Sequence, residues 1–195
     1  NEYGHSHHDA FGITLHGAGR LLYPDYNLTQ YENPAVGWTR MAIAHNTMVV
    51  DEKESRNLPP KAVRHAFEPE VKFLATSATG VYEQLDQTRA LMLTAEYLLD
   101  IFHASSDVPH DYDYLIHSFG RSEFDARGFE AGGSLGARYS AVTGQRTRAT
   151  DALWQLDFVL DGDRARALEA IEEANRPKKK AKGKKKKKYW TEHED

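Results

Sequence analysis

The sequence predicts an all-β fold, an antiparallel two-sheet sandwich, and three observations carry that prediction. Apolar residues recur with period two along most of the chain, the pattern that sends alternate side chains of a strand to one face. Glycine, proline, asparagine and aspartate gather between these runs, where strands must turn. No long amphipathic series of helical period occurs, and many short strands without helices pack best as sheet on sheet.

The first element spans residues 11–23. Phe11, Ile13 and Leu15 alternate with Gly12, Thr14 and His16; Gly17-Ala18-Gly19 supplies a turn, and Leu21-Leu22-Tyr23 returns, so the segment reads as a hairpin. Further strands are predicted over 47–51, 71–77, 81–85, 89–104, 112–118 and 153–160. In the last of these, Trp154, Leu156, Phe158 and Leu160 form an apolar face against Gln155 and Asp157. Residues 52–65 are expected to interrupt the pattern as a loop, because Pro59-Pro60 cannot donate the ladder hydrogen bonds of a central strand. The glycine-rich stretch Gly128 to Gly136 reads as a second loop. Asp163 to Asn175, with Leu168 and Ile171 three apart, has a short-helix pattern. The expected organisation is a β-domain over 1–162, a helix over 163–175 and a Lys-rich tail over 176–195, solvated or disordered for want of apolar partners.

Composition bounds the function. A chain of 195 residues, 40% hydrophobic and 11% aromatic, holds one ordinary domain. Without cysteine it has no disulfide, no thiolate metal site and no cysteine nucleophile. No apolar run reaches the roughly 18–20 residues of a membrane-spanning helix. The net charge of −4 conceals a split: residues 176–195 hold nine lysines and one arginine against three acids, a local charge of +7, which leaves −11 for the first 175 residues. The chain opens Asn1-Glu2-Tyr3-Gly4, without methionine or an apolar leader, so a fragment or processed product is expected and export is left open.

Chemistry concentrates near the start. His5, His7, His8, His16 and His45 are half of the ten histidines, and histidine is the commonest metal ligand. In an extended Gly4-His5-Ser6-His7-His8-Asp9, His5 and His7 point to one side and His8 to the other. A cysteine-free tetrahedral zinc site needs histidine and carboxylate ligands, and Asp25 and His45 are the nearby candidates. An H-x-H pair by itself is more often a surface or hydrogen-bonded pair. His8 and Asp9 read as a hydrogen-bonded pair shaping a turn, and His16, His65, His103, His110 and His117 as core or surface histidines.

Three separated motifs together resemble one family. Gly4-His5-Ser6-His7-His8-Asp9-Ala10, then Leu22-Tyr23-Pro24-Asp25-Tyr26, then Trp38-Thr39-Arg40 with Ala44-His45-Asn46-Thr47-Met48-Val49-Val50-Asp51 are similar to the heparinase II/III-like polysaccharide lyases, which include heparin, heparan sulfate and alginate lyases. The resemblance runs to about Leu160. It implies a C-terminal β-sandwich joined to an N-terminal helical toroid, and β-elimination beside a uronic acid: C5 loses a proton, O4 departs protonated, and a 4,5-unsaturated uronate remains. Carried over by position, His5 faces the substrate as a catalytic residue, and His7, Asp25 and His45 hold a mainly structural zinc. The family's general acid is a tyrosine, for which Tyr31 is the first candidate and Tyr26 the second. Arg40 suits a substrate carboxylate through its planar fork. No helical toroid is encoded in these residues, so the chain is expected to be the C-terminal part of a longer lyase. Its implied partners are an acidic polysaccharide and that toroid, with a homodimer admissible, and its implied location is periplasmic or secreted.

Two other readings compete. A non-catalytic carbohydrate-binding or structural β-sandwich explains the strands and leaves His5 dispensable. A zinc hydrolase is weaker, for neither H-E-x-x-H nor G-x-S-x-G occurs. The lysine run lacks interleaved aromatics and defines no nucleic-acid groove, so it is read as a linker and no nucleic-acid partner is expected.

Overall fold

A computed structural model describes residues 7–25, 36–123, 127–132, 142–153 and 155–159. The architecture is all-β, and every strand pair is antiparallel. Strands β1 (Leu15–Gly17) and β2 (Arg20–Tyr23) form the expected hairpin. Its turn residues, Ala18 at φ 51° and Gly19 at φ 75°, both take the left-handed conformation that matches the twist of a two-residue hairpin. One helical turn, α1 (Val36–Thr39), and a 3-10 turn (Ala42–Ala44) lead into β3 (Met48–Val50). Next comes a meander of β4 (Lys61–Phe67), β5 (Lys72–Thr79), β6 (Asp86–Leu93) and β7 (Leu98–Ser105), side by side in that order. Strand β8 (Tyr112–Tyr114) returns to pair with β3. Two small ladders follow: β9 (Arg121–Glu123) with β12 (Asp157–Val159), and β10 (Glu130–Ala131) with β11 (Arg146–Thr147).

The core lies between two layers. Register places Gln87 opposite Ala78 and Ala104, and Arg89 opposite Phe102, so these five share the inner face of the meander. Met48 and Val50 of β3 meet that face with Phe11, Val81, Tyr82 and Leu85. The run from Ala42 to Val50 is buried without interruption. Strand β3 is itself buried on both faces and so does not alternate apolar and polar residues, which is why Met48-Val49-Val50 reads as a continuous apolar run.

Several boundaries differ from the expectation, each for a physical reason. Residues 61–65 are strand, because β4 begins just after Pro60 and lies at the sheet edge, where the prolines owe no ladder bond. Residues 81–85 are the connection between β5 and β6; their apolar side chains serve the core from a turn closed by Gly80 N–H donating to Leu85 O at 3.1 Å. The apolar stretch 89–104 is two strands folded about Thr94–Tyr97, where the Thr94 hydroxyl accepts from the backbone of Glu96 and Tyr97. The helix over 163–175 and the lysine tail lie outside the described residues.

Candidate metal centre

His45, Asn46 and Thr47 form a buried strap between the 3-10 turn and β3, each at most 2% exposed. Their polar groups replace backbone pairing where the ladder runs out. Leu115 N–H still donates to Thr47 O at 2.9 Å, but one step further the Asn46 amide takes over, accepting from His117 N–H at 2.7 Å. The same amide donates to Ile13 O at 3.0 Å and Pro24 O at 2.7 Å, and the Thr47 hydroxyl donates to Ala10 O at 2.7 Å. Three distant segments, 7–13, 24–25 and 115–117, are thereby held around His45.

The arm carrying His7 is set by local turns. His8 N–H donates to Arg40 O at 3.0 Å, and His8 Nδ1 lies 2.6 Å from Ser55 O, so His8 faces Ser55. Gly12 N–H donates to Asp9 O at 2.7 Å; a Cβ on Gly12 would sit 2.8 Å from that oxygen, so this turn requires glycine. Phe11, at φ 61°, drives its ring from the same turn into the core.

These constraints bring His7, Asp9 and His45 together, with one ligand atom from each within 4.8 Å of the others. The His7 and His45 rings are 5.2 Å apart between centroids. Asp25 stands at the other edge of His45, its Oδ1 accepting from Nδ1 at 2.8 Å. Burial alone would push the Asp25 carboxyl up, but the His45 hydrogen bond and the nearby His45, His7 and His117 imidazoles bring it below its ordinary value of 3.8. In the neutral ring, a carboxylate at that position selects the tautomer with its proton on Nδ1 and its lone pair on Nε2. That Nε2 is buried and has no hydrogen-bond partner. His7 titrates below its ordinary 6.5, first through burial and then through electrostatic coupling to His45, with Arg40 adding to the effect and Asp9 and Asp25 opposing it. The shift favours the neutral imidazole, the form in which histidine ligates a metal.

Two imidazoles, one of them with a buried unpartnered nitrogen, and a carboxylate form a donor set suited to zinc, and the carboxylate behind His45 Nδ1 is the usual support of a ligating imidazole. Of the residues singled out from sequence, His7, Asp25 and His45 gather here. Arg40 lies within electrostatic range of His7. His5, Tyr26 and Tyr31 lie outside the described residues. Spacing did not single out Asp9 as a ligand, although it adjoins the H-x-H pair. His117, read as a bland histidine, packs edge-on against Trp38 at 6.3 Å and has its Nε2 2.8 Å from Ile43 O; burial lowers its pKa. Only its approach in space, 74 residues from Ile43, relates it to this centre.

No family model matches the chain, and no curated protein matches it significantly. Among solved structures, heparan sulfate lyase HepC from Pedobacter heparinus is similar over 62% of this chain and 20% of its own, at 19% identity and a TM-score of 0.54. A heparinase III gene product is similar over 68% of this chain and 23% of its own, at 18% identity and a TM-score of 0.56. The chain thus spans about a fifth of the length of these proteins, and what it shares with them is the β-fold.

Proposed function

We propose that the chain is the C-terminal portion of a polysaccharide lyase of the heparinase II/III-like kind, cleaving uronate-containing polysaccharides of heparin, heparan sulfate or alginate type by β-elimination. The observation that carries the reading is the buried His45 imidazole, held by Asp25 at Nδ1 and unpartnered at Nε2 beside His7 and Asp9, on a fold similar to that of heparan sulfate lyases. Zinc bound there would supply a fixed positive charge and a cross-link between the arm of residues 7–12 and the strap at 45–47. His7 and His45 would hold it directly, Asp9 would complete the set as the side chains stand, and Asp25 would act through His45.

The chain's own residues then divide the reaction. His5 is two positions from His7 in the sequence, and the resemblance gives it the role of facing the sugar. His5 and Arg40 meet the uronate carboxylate, whose charge otherwise keeps the C5 proton poorly acidic, and they stabilise the enolate-like intermediate. Loss of that proton to a base forms the C4–C5 double bond as the C4–O4 bond breaks, and Tyr31 delivers a proton to the departing O4. The remaining active-site groups come from an N-terminal helical toroid of the same protein, and the enzyme works in the periplasm or outside the cell.

The test uses the full-length enzyme. It should contain about one zinc per chain, lose it in His7→Ala and His45→Ala, and bind it about 10–100-fold more weakly in Asp25→Asn, the loss typical of a group supporting a ligand. Products should carry the near-ultraviolet absorbance of an unsaturated uronate. Hydrolytic products without that chromophore would sink the lyase assignment, and unchanged turnover in His5→Ala would favour a non-catalytic sandwich.

A further inference from the structure

We infer that Arg89 is a positioning residue of this centre: beside the direct bonds of Asn46 to Ile13 and Thr47 to Ala10, one buried guanidinium nitrogen braces the arm bearing His7 and Asp9 against the strap bearing His45. The inference rests on reading those three residues as one site. Arg89 lies on β6, far from them in sequence, with its side chain 2% exposed. Its Nη1 donates to two carbonyl oxygens, Phe11 O at 2.6 Å and Asn46 O at 2.7 Å. Phe11 is two residues beyond Asp9, and Asn46 is next to His45, so the two protons of one nitrogen hold one anchor point on each side of the site.

The rest of the side chain immobilises that nitrogen. Nε donates to Asp100 Oδ1 at 3.0 Å and Nη2 to Asp100 Oδ2 at 2.5 Å, a two-point pairing with a carboxylate on β7. The Tyr114 hydroxyl donates to Asp100 Oδ2 at 2.5 Å, and the guanidinium lies over the rings of Phe102 at 5.2 Å and Tyr114 at 5.9 Å. Orientation by Asp100, Tyr114 and Phe102 thus reaches the site through Arg89. A buried ion pair is a weak source of stability compared with apolar residues of the same volume, and its better-attested use is to impose one register. The forked geometry also explains the residue type. A lysine ammonium has no planar fork with which to pair both Asp100 oxygens while spanning two carbonyls.

The experiment is nuclear magnetic resonance of the whole chain without metal, reading the cross-relaxation peak between the His7 and His45 ring protons, assigned by its disappearance in His7→Gln and His45→Gln. The wild type should show the peak. Arg89→Lys should lose it, or weaken it at least threefold, while the meander's dispersed amide signals persist. Leu85→Val trims the same core without touching the arginine and should keep it. Tyr114→Phe removes one orienting group, retains the guanidinium and should give a partial loss, which supplies the reading if Arg89→Lys does not fold. A folded Arg89→Lys with the wild-type peak overturns the proposal, as does a wild-type peak in Tyr114→Phe should the lysine variant be unfolded. A wild type without the peak overturns the site geometry itself. Zinc titration of the same samples separates the two readings: a peak that depends on Arg89 in a chain that binds no zinc rejects the metal function and keeps the positioning role.

Discussion

Two carboxylate–imidazole pairs, alike in chemistry, do different work because their surroundings differ. Both imidazoles are largely buried with an unpartnered Nε2, but His45 lies beside His7 and Asp9, whereas Asp51–His110 ties the end of β3 to the approach to β8. Asp51 takes a left-handed φ of 51° and accepts from His110 Nδ1 at 2.9 Å and from Asp111 N–H at 3.1 Å. Those hydrogen bonds lower its pKa from 3.8 to about 2. Because the folded value is the depressed one, the pair's contribution is present in full above 3.8 and is lost as pH falls from there toward 2. A carboxyl-carbon titration should place Asp51 near the lower value, and His110→Ala should move its midpoint up toward the ordinary carboxylate range. An unmoved midpoint would show that the imidazole contributes nothing. None of this pairing was legible in the sequence, since a histidine and an aspartate 59 positions apart carry no local pattern.

Elements were read best where a turn signal and a period-two run coincide. The β1–β2 hairpin is such a case, and its turn chemistry makes a prediction. Gly19, at φ 75°, has nothing within 4 Å of where a Cβ would stand, so Gly19→Ala costs only backbone strain, about 1 kcal/mol. Urea unfolding should show that loss as a lower midpoint at unchanged slope; a midpoint equal to wild type would mean that the turn does not constrain the hairpin. Periodicity failed where apolar residues serve the core from outside a ladder. Val81, Tyr82 and Leu85 are buried in a connection, and Phe11 is buried from a tight turn, so their hydrophobicity reports burial and not strand. Proline marked the loop before β4 correctly but not its end, because an edge strand tolerates a proline at its start.

For the molecule as a whole, the two layers meet through a small set of side chains, so a single deletion there should be costly. Leu85, 2% exposed, sits in that cluster, and Leu85→Ala should destabilise the chain by about 2–5 kcal/mol, the range for a buried leucine whose cavity collapses only in part. Thermal or denaturant unfolding measures it; a loss below about 1 kcal/mol would mean that the β3 layer and the meander do not share a core. Among the described residues no helix is long and apolar enough to cross a membrane. The all-β class, the first hairpin and the absence of thiolate chemistry are legible in the sequence because alternation, turn residues and composition are local properties of the chain, while His7, Asp25 and His45 are nominated together by the resemblance of three separated motifs. The tertiary structure decided that Asp9 joins His7 and His45, that Asp25 bonds to His45 Nδ1, and that Arg89 spans Phe11 and Asn46. The physical reason is that a buried polar group must find its partner wherever the fold provides one, and for Arg89 and Phe11 that partner lies 78 residues away.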